Sequence, residues 1–169
     1  MNTDLLRIKN IYDKINLTIT DVIKEEGDNY NATAFKLTNK YNQIQYTVKF
    51  RTGKITDKKI GYFVTLWERY DTGIKPFSSD IDLVVISVKN NINRGHFVFP
   101  KIILLQKNII GDKGKLGIRV YAPWNIVDNK KATQTQQWQL QYFIDTTHII
   151  NLSKVRALYN VHWLNSTSY

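Results

Sequence analysis

The chain contains no cysteine. Disulfides, thiolate nucleophiles and cysteine-ligated zinc are therefore excluded. Histidine is scarce: His96, His148 and His162 stand far apart, without the short spacings that bring two imidazoles to one metal. Phosphate-cradling glycine loops and the glycine-flanked serine of hydrolases are missing, and Gly114 and Gly117 around Lys115 read as a turn. No apolar run approaches the roughly 18 residues of a membrane span. The longest, Leu83 to Ile86 and Ile102 to Leu105, have the size of strands. Met1 to Asn16 is charged and amphipathic, unlike a secretory leader, so the expected location is cytoplasmic.

Acidic side chains are the last shortage, 14 against 24 Lys and Arg, for a formal charge of +10. The imbalance is uneven. Residues 1–28 hold four basic and six acidic side chains, so the rest holds 20 basic and 8 acidic. Between Leu83 and Arg119, seven basic residues face a single acid, Asp112. A field of that sign attracts phosphate polymers or anionic membrane surfaces. A lysine excess that only keeps the domain soluble is the plainer account. Aromatics, by contrast, are abundant, with 4 Trp, 10 Tyr and 7 Phe, which disordered chains lack. A length of 169 residues suits one domain, 1–169, with a sizeable core.

Asp4 to Ile15 places Leu5, Ile8, Ile11, Tyr12 and Ile15 on one helical face, capped by Thr3 or Asp4. The acidic stretch Asp21 to Asp28 reads as irregular or as part of a brief strand. From Asn31 the apolar period becomes two. Strands are expected over 32–37 and 44–50, joined as a hairpin through 41–43 and followed by a basic loop, 51–59. More strands are expected at 61–68, 81–88, 96–105 and 116–121, with a turn at 70–79 and a break or bulge at Pro100. Apolar on both faces, 81–88 should be central. Helices return at 133–143 and 152–159, ahead of a polar tail at 165–169. The succession predicts an α+β fold: one domain, a mostly antiparallel mixed sheet built as a meander, flanked by N- and C-terminal helices.

Five cations, Lys49, Arg51, Lys54, Lys58 and Lys59, fall within eleven residues. Lys49 and Arg51 share one strand face while Phe50 turns to the core. Lys101 and Arg119, with Lys113 and Lys115, extend that surface if the sheet gathers them. Tyr62, Trp67, Tyr121 and Trp124 offer stacking faces, although any single aromatic is more often core. The set points to nucleic acid, with DNA favoured, held by salt-sensitive backbone contacts. A catalytic alternative is a Mg²⁺-dependent nuclease. Asp80 and Asp82, two apart, and Glu25 or Glu26 would supply its carboxylates. Asp57-Lys58-Lys59 and Asp128-Asn129-Lys130 also set a carboxylate near a lysine. Mg²⁺ belongs to that alternative only; otherwise no cofactor is expected, and Asp80 is a turn residue. A third reading is a regulatory or scaffold protein that binds a protein or small molecule.

Residues 50–56 (FRTGKIT) and 59–69 (KIGYFVTLWER) resemble the MepB-like family of bacterial proteins. So do Pro76-Phe77 with Ser79-Asp80, residues 95–101 (GHFVFPK), 117–124 (GIRVYAPW), 135–139 (TQQWQ) and Tyr142-Phe143. The resemblance covers about residues 25–143. It implies a nucleic-acid-binding protein with a fold similar to restriction-type nucleases, associated with multidrug-efflux operons, and it carries no catalytic residues across. His96 and Asp57 depart from the family pattern, which tends to Gln and Pro there. The first departure weakens a catalytic role for His96, the second a nuclease site at Asp57.

Overall fold

Asn2, rather than Thr3 or Asp4, starts the first helix: its side-chain oxygen accepts the Leu5 N–H at 2.9 Å. Helix α1 (Thr3–Lys14) then buries Leu5, Ile8, Ile11 and Tyr12 as the spacing predicts. The computed structural model describes residues 1–166, and side chains through Tyr159. The expectations for His162 and the tail at 165–169 therefore concern side chains outside that range.

Seven strands follow α1: β1 (Leu17–Lys24), β2 (Thr33–Asn39), β3 (Gln45–Thr52), β4 (Lys54–Thr56), β5 (Lys59–Thr65), β6 (Trp67–Tyr70) and β7 (Gly73–Pro76). The chain continues as β8 (Leu83–Lys89), β9 (Arg94–Pro100), α2 (Lys101–Gln106), β10 (Gly117–Val120), α3 (Lys130–Leu140), β11 (Phe143–Asp145) and α4 (Leu152–Ser166). Six strands form the main sheet in the order β1-β2-β3-β8-β9-β11. All its neighbours are antiparallel except β3 and β8. The expected meander is thus interrupted. After β3 the chain leaves the sheet, builds the small sheet β10-β5-β4 with a later strand and the hairpin β6–β7, and returns at β8.

This excursion explains the apolar character of 81–88. Val84, Ile86 and Val88 meet a core shared with the small sheet, α2 and α3, whereas Leu83 and Val85 meet a second core under α1 and α4. A strand covered on both faces has no polar side to show. Tyr12 and Tyr159 join α1 to α4 through a 2.8 Å hydroxyl–hydroxyl bond, and burial raises both phenols above their usual range.

Several local expectations are corrected. The basic loop 51–59 holds the end of β3, all of β4 and a turn into β5. Gly61 lies in β5 at φ +87, where a Cβ would stand 2.7 Å from both the Val120 carbonyl and the Tyr121 ring, so β10 packs on bare backbone. The turn 70–79 contains β7. Pro100 ends a strand instead of bulging it. Beyond it the adjacent pair Ile103 and Leu104 is buried while Ile102 and Leu105 are exposed, which is helical rather than alternating burial. The helix of 133–143 starts three residues sooner, capped by Asn129, and stops at Leu140, so that Phe143–Asp145 can pair with β9.

Candidate functional site

Two concentrations of charge differ in nearly every physical respect. The first lies on the face of β3 opposite Phe50. Lys49 and Arg51 do share that face, but they are only 7% and 2% exposed. Glu25, just after β1, and Glu68, on β6, close over them. Lys49 pairs with both carboxylates, and Arg51 stands 3.0 Å from Glu25. The buried Phe77 ring lies beneath, 5.5 Å from the Lys49 ammonium and 4.9 Å from the guanidinium. Arg51 also donates to the Phe50 carbonyl at 2.8 Å. Burial lowers its pKa and Glu25 counters that pull. An exposed 2.5 Å pair, Arg69–Glu26, ties the β6–β7 hairpin to the connection after β1.

This quartet corrects the role assigned to Lys49 and Arg51 as backbone-contacting cations. The strand face they share is roofed by the hairpin, and their charges are already neutralised by carboxylates of the same chain. It also separates the proposed nuclease carboxylates. Glu25 is committed to Lys49 and Arg51. Asp80 is an exposed turn residue beside Ser78, not part of a strand, so the two-residue spacing to Asp82 does not align them. Asp82 accepts the Thr47 N–H at 2.8 Å and thereby fastens the start of the parallel β3–β8 pair. No group of three or more metal-ligating side chains forms among the described residues. His96 is buried beneath the sheet edge, with Nε2 unpartnered and its pKa pushed down to about 3 by burial.

The second concentration is an open groove of about 830 Å³. One wall is α3, the other the turn into β5 together with β10, and the connection from α2 to β10 closes one end. Six cations line it: Lys58, Lys59, Lys107, Lys115, Arg119 and Lys131. The sole lining carboxylate is Asp128. None of the six cations enters an ion pair among the described residues. Arg119 is held in place by donating to the Ile60 carbonyl at 3.2 Å and the Thr56 hydroxyl at 3.0 Å. Gln139 fixes α3 against β10: its oxygen accepts the Tyr121 N–H at 2.8 Å and its nitrogen donates to the Arg119 carbonyl at 3.0 Å.

Of the cations singled out in the sequence, the groove gathers Lys58, Lys59 and Arg119. Lys54 lies apart, its ammonium 5.3 Å from the centre of the Tyr30 ring, and Lys101 begins α2 without lining the groove. Sequence reasoning missed Lys107 and Lys131, and it left Lys115 as an extension. These three sit on segments far apart in the chain, and only the packing of α3 across the small sheet brings them together. Of the aromatics, Tyr62 is core and donates nothing outward: its hydroxyl accepts from Trp124 Nε1 at 2.9 Å. Tyr121 does line the groove.

No helix among the described residues is long and apolar enough to cross a membrane. The model of the MepB-like family matches residues 24–145. A crystal structure of MepB superposes with a TM-score of 0.70 at 32% identity, covering 88% of this chain and 100% of that one. A bacterial homing endonuclease, I-Ssp6803I, gives a TM-score of 0.45 at 17% identity, over 81% of this chain and 86% of its own. No curated protein matches the chain.

Proposed function

The chain belongs to the MepB-like family, and from that premise and the groove's charge we propose that it binds nucleic acid, with DNA the favoured form, through its phosphate backbone. The observation that carries this reading is the groove itself: six cations, one carboxylate, and no internal ion pair to neutralise the wall. Unpaired cations at an open concave surface raise the local concentration of a polyanion, and each phosphate neutralised releases condensed counterions. We infer further that the protein binds without cutting. Its carboxylates are engaged by Lys49, Arg51 and the Thr47 amide rather than converging on a divalent cation. A nucleic-acid partner places its work in the cytoplasm, and an accessory role beside an efflux system would act through the same contact.

Fluorescence anisotropy against duplex DNA, single-stranded DNA and RNA at several salt concentrations tests the proposal. The expected result is salt-sensitive binding that a Lys59→Glu, Lys131→Glu double variant abolishes at moderate salt. Absence of binding at low salt, or a wild-type affinity in the double variant, would remove the groove from consideration. Incubation of plasmid with Mg²⁺ should leave it intact; cleavage lost in Glu25→Gln would instead restore the nuclease reading.

A further inference from the structure

Helix α3 and its end carry five glutamines, and the structure divides them. Gln139 is spent on β10, as described. Gln136 donates to the carbonyls of Ala122 and Asn125, both at 2.9 Å, which holds the loop before the helix. Gln137 and Gln141 are exposed and do not line the groove. Gln134 is exposed, lines the groove, and has no internal hydrogen-bond partner among the described residues. It shares a helical face with Lys131, Thr135 and Trp138, at the spacing of neighbouring turns.

The groove's aromatics are poorly placed to address a base. Trp138 packs on Phe99 with centroids 5.4 Å apart and carries the Lys107 ammonium 5.4 Å from its ring centre. The Tyr121 ring packs on Gly61. Phe63 already bears the Arg119 guanidinium at 5.9 Å. Lysines and arginine on the walls suit phosphates, whose contacts position a strand without reading it. Gln134 is left as the side chain that offers a donor and an acceptor side by side.

We propose that Gln134 is the specificity-determining residue of the groove and that it reads the N6/N7 edge of an adenine in the bound strand. The inference rests on the nucleic-acid reading above. A carboxamide matches adenine because N6 donates beside the N7 acceptor, whereas guanine presents two acceptors on the corresponding edge. Lys131, one turn earlier on the same face, sets the backbone against which that base is presented. Thr135, with one rotatable hydroxyl, adapts to either partner and adds little discrimination.

The test is an anisotropy series with oligonucleotides that differ only at one central position, in the strand form that binds most tightly. Wild type should prefer adenine there by about 5- to 20-fold. Gln134→Ala should bind all members alike while its salt dependence stays unchanged. Gln134→Glu, an acceptor only, should move the preference toward cytosine, whose N4 donates. Equal binding of the series by wild type with the salt dependence intact would overturn the Gln134 assignment alone, as would an adenine preference that survives in Gln134→Ala. No binding of any member would overturn the groove reading itself.

Discussion

The quartet under the β6–β7 hairpin and the groove beside α3 use the same side chains to opposite ends. In the quartet, Lys49 and Arg51 are buried and answered by Glu25 and Glu68. In the groove, Lys59 and Lys131 are exposed and unanswered. A desolvated cation must be paired within the fold, because leaving its partner alone in the interior costs several kcal/mol. An exposed one loses little by waiting for an external anion. Charge count alone therefore says nothing about function; what matters is whether the chain has already supplied the counter-charge.

The comparison breaks most visibly at Arg51. Arg51→Ala leaves Glu25 facing Lys49 alone and removes the guanidinium from above Phe77. It should destabilise the fold by about 3–5 kcal/mol, read as a lower midpoint in urea denaturation. Among the molecules that remain folded, nucleic-acid affinity should be unaltered. A large affinity loss with normal stability would mean that the quartet, not the groove, meets the ligand.

His96 sharpens the same contrast, being buried with no partner on Nε2. Its pKa in the folded state, about 3, lies below the ordinary value of 6.5. The unfolded chain therefore takes up the proton first. This residue's effect is absent above about pH 6.5 and becomes a loss of stability as the pH falls toward 3. Between pH 6.5 and 5 the loss amounts to roughly 2 kcal/mol. Urea midpoints at the two pH values should show it in wild type but not in His96→Gln, so the difference between the proteins isolates this one imidazole.

The groove responds in the opposite currency. Lys131→Ala should shift stability by less than about 0.5 kcal/mol. In B-DNA binding it should lower the slope of log K against log salt by about 0.9, the yield of one phosphate contact. An unchanged slope would place Lys131 outside the contact surface.

How far the sequence revealed these regions depended on the distance over which each signal acts. Period-two alternation in β3 correctly put Lys49 and Arg51 opposite Phe50, since that relation is local to the strand. It could not show that the opposite face is covered too, because the cover comes from Glu68 and Phe77 beyond two further strands. The both-face apolarity of Val84 to Val88 was legible for the converse reason: burial on two sides leaves its mark within a single strand. The parallel β3–β8 pair left no such mark, and neither did the switch from strand to helix at Pro100. Lys107 and Lys131 join Lys59 through packing alone, so no spacing in the chain announces the groove.

The smallest effect is expected at Lys54, and it sets the boundary of the groove most sharply. Lys54 and Lys59 lie on the two strands of one hairpin, both exposed and both cationic. Sequence proximity gives them equal claims on a phosphate. The hairpin turns them to different surroundings: Lys59 lines the groove, whereas Lys54 sits over Tyr30. An exposed cation–π contact is worth about 0.5–1 kcal/mol, so Lys54→Ala should lower stability by no more than that. Its salt slope should match wild type, while Lys59→Ala should lose about 0.9. Equal slope losses in the two variants would mean that the ligand wraps the whole hairpin and that the groove is only part of a wider basic surface. A loss confined to Lys59 would show that the open wall, and not the local density of lysine, selects where the polyanion binds.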